Sequence, residues 1–268
     1  MDDAGFFGLE RDGSSSRFHL PVVRELCAGT GALFGGAGLG ASIEALEAAT
    51  GRPVVWATAQ FLAFVRPPAT LQIEVTEAAR GHHVSQARAV AAADGREILT
   101  VNATLGRRTL PWSGSWAQPP DVPPPEACPP RPLLEQHRGS IHERLETRLA
   151  RARELNEDDE PQAPGDGRAS LWARLADLPT SAAALAIVGD FVPFGIGQAL
   201  GRRTAASSLD NTLRVAMAPH PTEWILADVR VHAVADGFGH GLVHLWADDG
   251  TLLGTASQSA IVRELRAS

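Results

Sequence analysis

The sequence predicts an α+β fold made twice, each copy a helix wrapped by a long antiparallel sheet. Three observations carry this expectation. A helix-like apolar segment precedes a set of strand-like runs in each half, the runs follow in the same order and spacing, and an Asp-Gly turn marks the corresponding hairpin in both. A supersecondary unit that recurs about every 150 residues is two copies of one fold, and sites are expected where the copies face each other.

In the first half, Leu33, Phe34, Leu39, Ile43 and Leu46 keep helical spacing over 33–50, and Gly51 stands just past the end as a stop signal. An apolar run over 54–65 then ends in Arg66-Pro67-Pro68, followed by runs at 71–75, 83–92 and 98–105, the last two joined at Asp94-Gly95. The second half opens with a helix over 181–200, expected to break around 189–197 with Pro193 inside it. A run over 209–217 leads into Pro219 and Pro221, then come 224–231, 241–246, a turn at Asp249-Gly250 and 252–262. The runs are rich in Val, Ile, Thr and Trp and alternate imperfectly, as half-buried antiparallel strands do.

Between the halves the composition changes. Nine prolines between Pro111 and Pro132 favour an extended, semi-rigid connector over any packed element. Residues 133–155 are charged and predict a helix with Leu145, Leu149 and Ala152 on one stripe, closed by the acidic run Glu157-Asp158-Asp159-Glu160. The expected organisation is a first unit over 1–110, a linker over 111–166 and a second unit over 167–268.

With 268 residues and 44% hydrophobic content, the chain can bury one or two full cores. A net charge of -7 argues against a nucleic-acid partner, because phosphate neutralisation needs a cationic face. Met1-Asp2-Asp3 is not a basic leader and no uninterrupted apolar run reaches spanning length, so a cytoplasmic protein without membrane insertion is expected. The terminal Arg266-Ala267-Ser268 is not a peroxisomal address. Cys27 and Cys128 stand far apart without a Cys/His cluster, and His82 and His83 point to opposite faces of a strand, so no metal or other cofactor is expected.

All 24 basic residues are Arg, and Tyr is absent. Schiff-base chemistry, the P-loop lysine and any Tyr/Lys proton relay are therefore excluded. Chemistry falls to Asp, Glu, His, Ser, Thr, Asn, Gln, Cys, Arg or the backbone.

The ordered motifs resemble the acyl-CoA thioesterase II family, whose fold is a double hotdog. In the first half these are Leu33-Phe34-Gly35-Gly36, the run from Phe61 to Pro67, the run from Arg80 to Arg88 and the run from Ile98 to Leu105. In the second half they are Gly189-Asp190-Phe191, Ser208-Leu209-Asp210-Asn211-Thr212, Glu223-Trp224 and the stretch from Asp249-Gly250 to Gln258. The resemblance implies hydrolysis of a fatty acyl-CoA to free acid and CoA, with Asp, Gln and a Ser or Thr hydroxyl orienting a water. It puts the Asp on Asp210 and the Gln on Gln258. The hydroxyl position falls near Val231-His232, where neither residue carries one, so either His232 takes that role or two groups act alone.

Read as residues, Asp210 fits either a functional acid at the start of an apolar strand or a turn cap with Ser207 and Ser208. Gln258 fits either a buried amide partnered by water and carboxylate or a solvent-facing strand position. Ser208 and Thr212 are the nearby candidate nucleophiles, but no Ser/His/Asp arrangement or nucleophile elbow accompanies them. A carboxylate base would need desolvation to raise its pKa, which an interface of two apolar sheets can supply.

Gly35 and Gly36 either pack a helix start closely or donate N–H groups to a thioester carbonyl. The glycine spacing around them does not fit a dinucleotide fingerprint. Arg66, Arg80 and Arg88 stand at strand ends or turns, suited to a groove rim for the anionic CoA moiety or to a solvated face. The Trp residues, among them Trp56, Trp172, Trp224 and Trp246, read as core anchors. The rival functions are a non-catalytic acyl-CoA or lipid-binding module and, with no Asp/His pair visible for it, a hotdog hydratase. Edge-to-edge pairing of sheets would give a homo-oligomer, which light scattering can test.

Overall fold

The computed structural model of the chain describes residues 2–155, 162–217 and 220–265. Met1, the acidic run 157–160, Pro219 and residues 266–268 lie outside the described residues.

The first half begins with the short helix α1 (Asp3–Phe7) and strands β1 (Glu10–Arg11) and β2 (Arg17–Val22). The helix α2 (Gly35–Thr50) follows, then β3 (Val54–Phe61), β4 (Ala69–Arg80), β5 (Val84–Ala93) and β6 (Arg96–Gly106). The rest of the chain comprises α3 (Ile141–Arg144), β7 (Leu145–Arg151), β8 (Arg168–Leu175), α4 (Ala182–Val188), α5 (Val192–Leu200), β9 (Thr204–Ser208), β10 (Asp210–Val215), β11 (Ile225–Ala235), β12 (Phe238–Ala247) and β13 (Leu252–Glu264).

The strands form one antiparallel sheet in the order β1-β2-β4-β5-β6-β3-β10-β13-β12-β11-β8-β7, with β9 pairing β13. The order β2-β4-β5-β6-β3 in the first half has its counterpart in β8-β11-β12-β13-β10 in the second, so the repeat expected from sequence is a repeat of topology. The two copies join at β3 and β10, where Thr58 faces Thr212 and their hydroxyl oxygens lie 2.7 Å apart. This is the expected double hotdog.

The helices fill the concave side. α2 is buried on almost every face, as a helix enclosed by sheet and by a second helix must be. Gly51 ends it in the left-handed conformation, with φ of 68°. It packs against α4 closely enough that a Cβ on Gly36 would lie 2.7 Å from the Ala186 carbonyl oxygen. The expected break in the second-half helix falls at 189–191, and Pro193 sits in the first turn of α5, where a missing N–H costs nothing. The stretch from Ala182 to Leu200 is 19 residues long with mean hydropathy 1.6, enough by length and composition to cross a membrane. Yet 78% of its most apolar window is buried inside the protein.

The charged segment after the proline run departs from expectation. Helix is confined to a 3-10 turn at Glu135–His137 and the short Ile141–Arg144, and Leu145–Arg151 is a strand paired to β8. Leu145 and Leu149 are both buried on one side of that strand, because a spacing of four satisfies the strand period of two as well as the helical period. The proline run is extended as expected apart from a 3-10 turn at Pro125–Ala127, but it packs, against the expectation of an unpacked connector. The Trp172 indole N–H donates to the Pro123 carbonyl at 3.0 Å, and Cys128 joins Trp172, Trp224, Leu226 and Trp246 in a second apolar cluster. Trp172, Trp224 and Trp246 are thus the core anchors expected of them, whereas Trp112 and Trp116 are exposed.

Asp94 and Gly95 both have positive φ, 50° and 75°, as the tight turn between β5 and β6 requires. A second such turn, Asp236-Gly237, joins β11 and β12 with φ of 52° and 78°.

Candidate active site

The break between α4 and α5 places Asp190 at the meeting point of the two halves. It is the one ionisable residue in the apolar stretch from Ala182 to Leu200, and it is buried. Its Oδ2 accepts the backbone N–H of Gly36 at 2.6 Å, at the first turn of α2. Its Oδ1 accepts from Gln258 Nε2. Burial pushes the Asp190 carboxyl up to about 7, against the opposing pull of the bonds from Gln258 and Gly36.

Gln258 is fully buried on the helix-facing side of β13. Its Oε1 accepts the Val192 N–H at 3.2 Å, at the start of α5, and its Nε2 also reaches Ser208 Oγ at 3.3 Å. Since amide oxygen and nitrogen each find a chemically matched partner, its orientation follows from the network. One amide thus links a carboxylate to a hydroxyl, and both helix starts of the second layer contribute N–H groups. Aromatic rings surround the cluster. Phe61 lies within 3.1 Å of where a Cβ on Gly35 would stand, Phe34 within 2.9 Å of one on Gly36, and Phe191 packs edge-on against Phe194.

Among the described residues, Asp210 makes no hydrogen bond to Asp190, Gln258 or Ser208. Its Oδ1 accepts the Ser259 N–H at 2.9 Å, bridging the irregular step where β13 passes from β10 to β9. His232 is exposed at a bulge in β11, its ring 5.3 Å from that of His240. The hydroxyl beside Gln258 belongs to Ser208, not to the Val231-His232 position. Gly36 directs its N–H to Asp190, while Gly35 and Gly36 together leave room for Asp190 and α4. Arg88 is exposed on the outer face of β5, and Arg66 is exposed just before the Pro67–Pro68 bond. Neither forms an ion pair among the described residues. Among the described residues, no group of three or more His, Cys, Asp or Glu is arranged to hold a metal.

Residues 125–262, about half of the chain, match the family model of the acyl-CoA thioesterase C-terminal domain. A thioesterase candidate from Novosphingobium aromaticivorans is 33% identical, with 95% of this chain and 98% of that one covered and a TM-score of 0.82. The chain belongs to the acyl-CoA thioesterase II family. It is a thioester hydrolase. A hot dog fold protein of unknown function from Alicyclobacillus acidocaldarius is 24% identical with a TM-score of 0.84, each chain covered to 98%. An acyl-CoA thioesterase II from Mycobacterium marinum is 19% identical with a TM-score of 0.75, again with 98% of each chain covered. At those identities the last two speak for the shared fold alone. No curated protein gives a match.

For this thioesterase, the sequence reading does not single out Asp190 as a site residue, and it marks Ser208 only as a candidate nucleophile, not as a partner of Gln258. Both lay inside quoted motifs. The signal for Asp190 was a lone acid in the most apolar stretch of the chain, where a charge is unfavourable without a purpose. Ser208 stands two residues before Asp210, on the strand that pairs with β13 opposite Ala260.

Proposed function

We propose that this thioesterase hydrolyses fatty acyl-CoA thioesters with a water activated by Asp190 and oriented by Gln258 and Ser208. The observation that carries the proposal is the Gln258 amide, which joins a buried carboxylate to a hydroxyl at the junction of the two hotdogs. A base with a pKa of about 7 is half ionised at neutral pH and still strong enough to take a proton from water.

The reaction balances without a cofactor. Asp190 takes a proton as the water oxygen bonds to the thioester carbonyl carbon. The tetrahedral intermediate collapses, the C–S bond breaks, and the proton held by Asp190 passes to the departing sulfur, leaving acid and CoA thiol. The rings of Phe34, Phe61, Phe191 and Phe194 offer an apolar surround suited to an alkyl chain. Direct attack by Ser208 is less well supported, since its recorded bond is to Gln258 and not to a base.

Thiol release from acyl-CoAs of increasing chain length tests the reading. Release that rises with chain length and collapses in Asp190→Asn and Gln258→Ala is the expected result. No release from any acyl-CoA by the wild type would reject it, and collapse in Asp210→Asn but not in Asp190→Asn would move the base to Asp210.

A further inference from the structure

Asn211 is fully buried in β10, yet among the described residues neither its Oδ1 nor its Nδ2 has a hydrogen-bond partner. Most buried polar side chains are paired, so an amide with both ends unpaired calls for a reason. Its position supplies one. Leu213 pairs with Ala256 and Thr212 with Ser257, so one further step along both strands sets Asn211 beside Gln258. The alternation of buried positions puts Asn211 and Leu213 of β10, and Ala256, Gln258 and Ala260 of β13, on the same helix-facing side.

On its other flank Asn211 pairs with Ala59 of β3, whose methyl group fills little space. Two residues along that face, Phe61 approaches Gly35, and Gly35 in turn approaches Asp190. Asn211 therefore lies on the floor of the same junction that holds Asp190 and Gln258.

Hydrolysis of a thioester needs donors for the oxygen that becomes negative as water adds. The Gly36 N–H is held by Asp190, the Val192 N–H by Gln258, and Gln258 Nε2 by Asp190 and Ser208. Asn211 Nδ2 is a buried side-chain donor in the site that has no partner among the described residues.

We infer that Asn211 is a further catalytic residue, donating from Nδ2 to the thioester carbonyl oxygen and to the oxyanion formed on it. This rests on the hydrolysis centred on Asp190. The carbonyl oxygen gains negative charge as the new C–O bond forms, and the bond from Nδ2 strengthens at that moment. It does not change the proton route.

The test uses the full chain with Asn211→Leu and Asn211→Ala. Removing an oxyanion donor lowers kcat by about 10²–10³-fold, with KM little changed. The thermal midpoint of Asn211→Leu stays level or rises, because an unpaired buried amide is replaced by an apolar group of similar shape. A purely structural asparagine would behave the other way, with a falling midpoint and an intact kcat, and that result overturns the inference. Binding of two inert substrate analogues gives a second measurement. Wild type binds a ketone that retains the carbonyl more tightly than a thioether that lacks it, and the variants lose that preference. Equal binding of both analogues by wild type overturns the inference even if neither variant folds. Absence of thiol release by the wild type would instead reject the hydrolysis reading itself.

Discussion

The backbone N–H of Gly36 donates to the carboxylate of Asp190 at 2.6 Å, across 154 residues of sequence. This bond places the first turn of the first half's helix against the break between the second half's helices. It forms because glycine lets α2 and α4 approach. An alanine at 36 would put its Cβ 2.7 Å from the Ala186 oxygen and 2.8 Å from the Ile187 Cα, both backbone atoms that cannot swing aside. Gly36→Ala is therefore expected to cost about 1–3 kcal/mol of stability, as overpacked sites do. It should also lower kcat by moving the donor away from Asp190. Urea unfolding and thiol release measure the two effects, and an unchanged midpoint in urea would refute the packing argument.

Two aspartates twenty residues apart are expected to respond differently to the same change. Asp190→Asn removes the ionisable group and should reduce kcat by about 10²–10⁴-fold, the range for loss of a general base. Asp210→Asn keeps an oxygen that can accept the Ser259 N–H, so both folding and kcat should stay near wild type. Asp210→Ala loses that bond and should cost about 1 kcal/mol of stability with kcat largely preserved. Parallel kinetics on the three variants decide between the two acids. His232→Ala, at an exposed position, should leave kcat unchanged.

Local signals made much of the fold legible. Five apolar residues at helical spacing and one glycine marked α2, and Asp94-Gly95 marked its hairpin because only a few residue pairs tolerate two positive φ values. The strand at Leu145–Arg151 was read as helix because Leu145 and Leu149 suit both periods, and its pairing with β8 is a contact no local pattern encodes. In the site, the sequence left Gln258 open between a buried amide and a solvent-facing strand residue, and its full burial decides for the first. Its partners were not legible, since Asp190 reaches it from 68 residues away and Ser208 from 50. An acid at the start of a strand, Asp210, offered a more familiar pattern than an acid between two helices.

The proline-rich connector is expected to stabilise the fold without taking part in catalysis. Trp172 donates to Pro123 and packs with Cys128, Trp224 and Trp246 in a cluster separate from the main core. Trp172→Ala should cost about 3–5 kcal/mol, the usual range for removing a buried indole. Since, among the described residues, no member of that cluster hydrogen-bonds Asp190, Gln258 or Ser208, kcat of the folded fraction should remain at the wild-type value. Denaturation midpoints alongside active-site-normalised kinetics test this. A large fall in kcat at full folding would mean that the connector reaches the site.

Stability and activity should move in opposite directions with pH, with Asp190 contributing to both. Asp190 titrates near 7 when folded and at about 3.9 in an unfolded chain. Between those values the unfolded chain has lost the proton that the folded protein still holds. Fewer protons are bound in the unfolded state, so unfolding free energy decreases as pH rises across that window and levels off above it. The contribution of Asp190 is on the order of 4 kcal/mol, the free energy of raising its pKa from about 3.9 to about 7. Glu44, pushed up to about 7 by burial and then by Asp3, Glu47 and Asp2, adds to the same slope. Over the same window Asp190 ionises and becomes a competent base, so kcat/KM should rise through about pH 7. Asp190→Asn should flatten the stability slope and be more stable than wild type above pH 7. Thermal midpoints of both proteins from about pH 5 to 8, set beside the kcat/KM profile of the wild type, provide the measurement. Identical slopes in the two proteins would show that the buried carboxyl is not the titrating group.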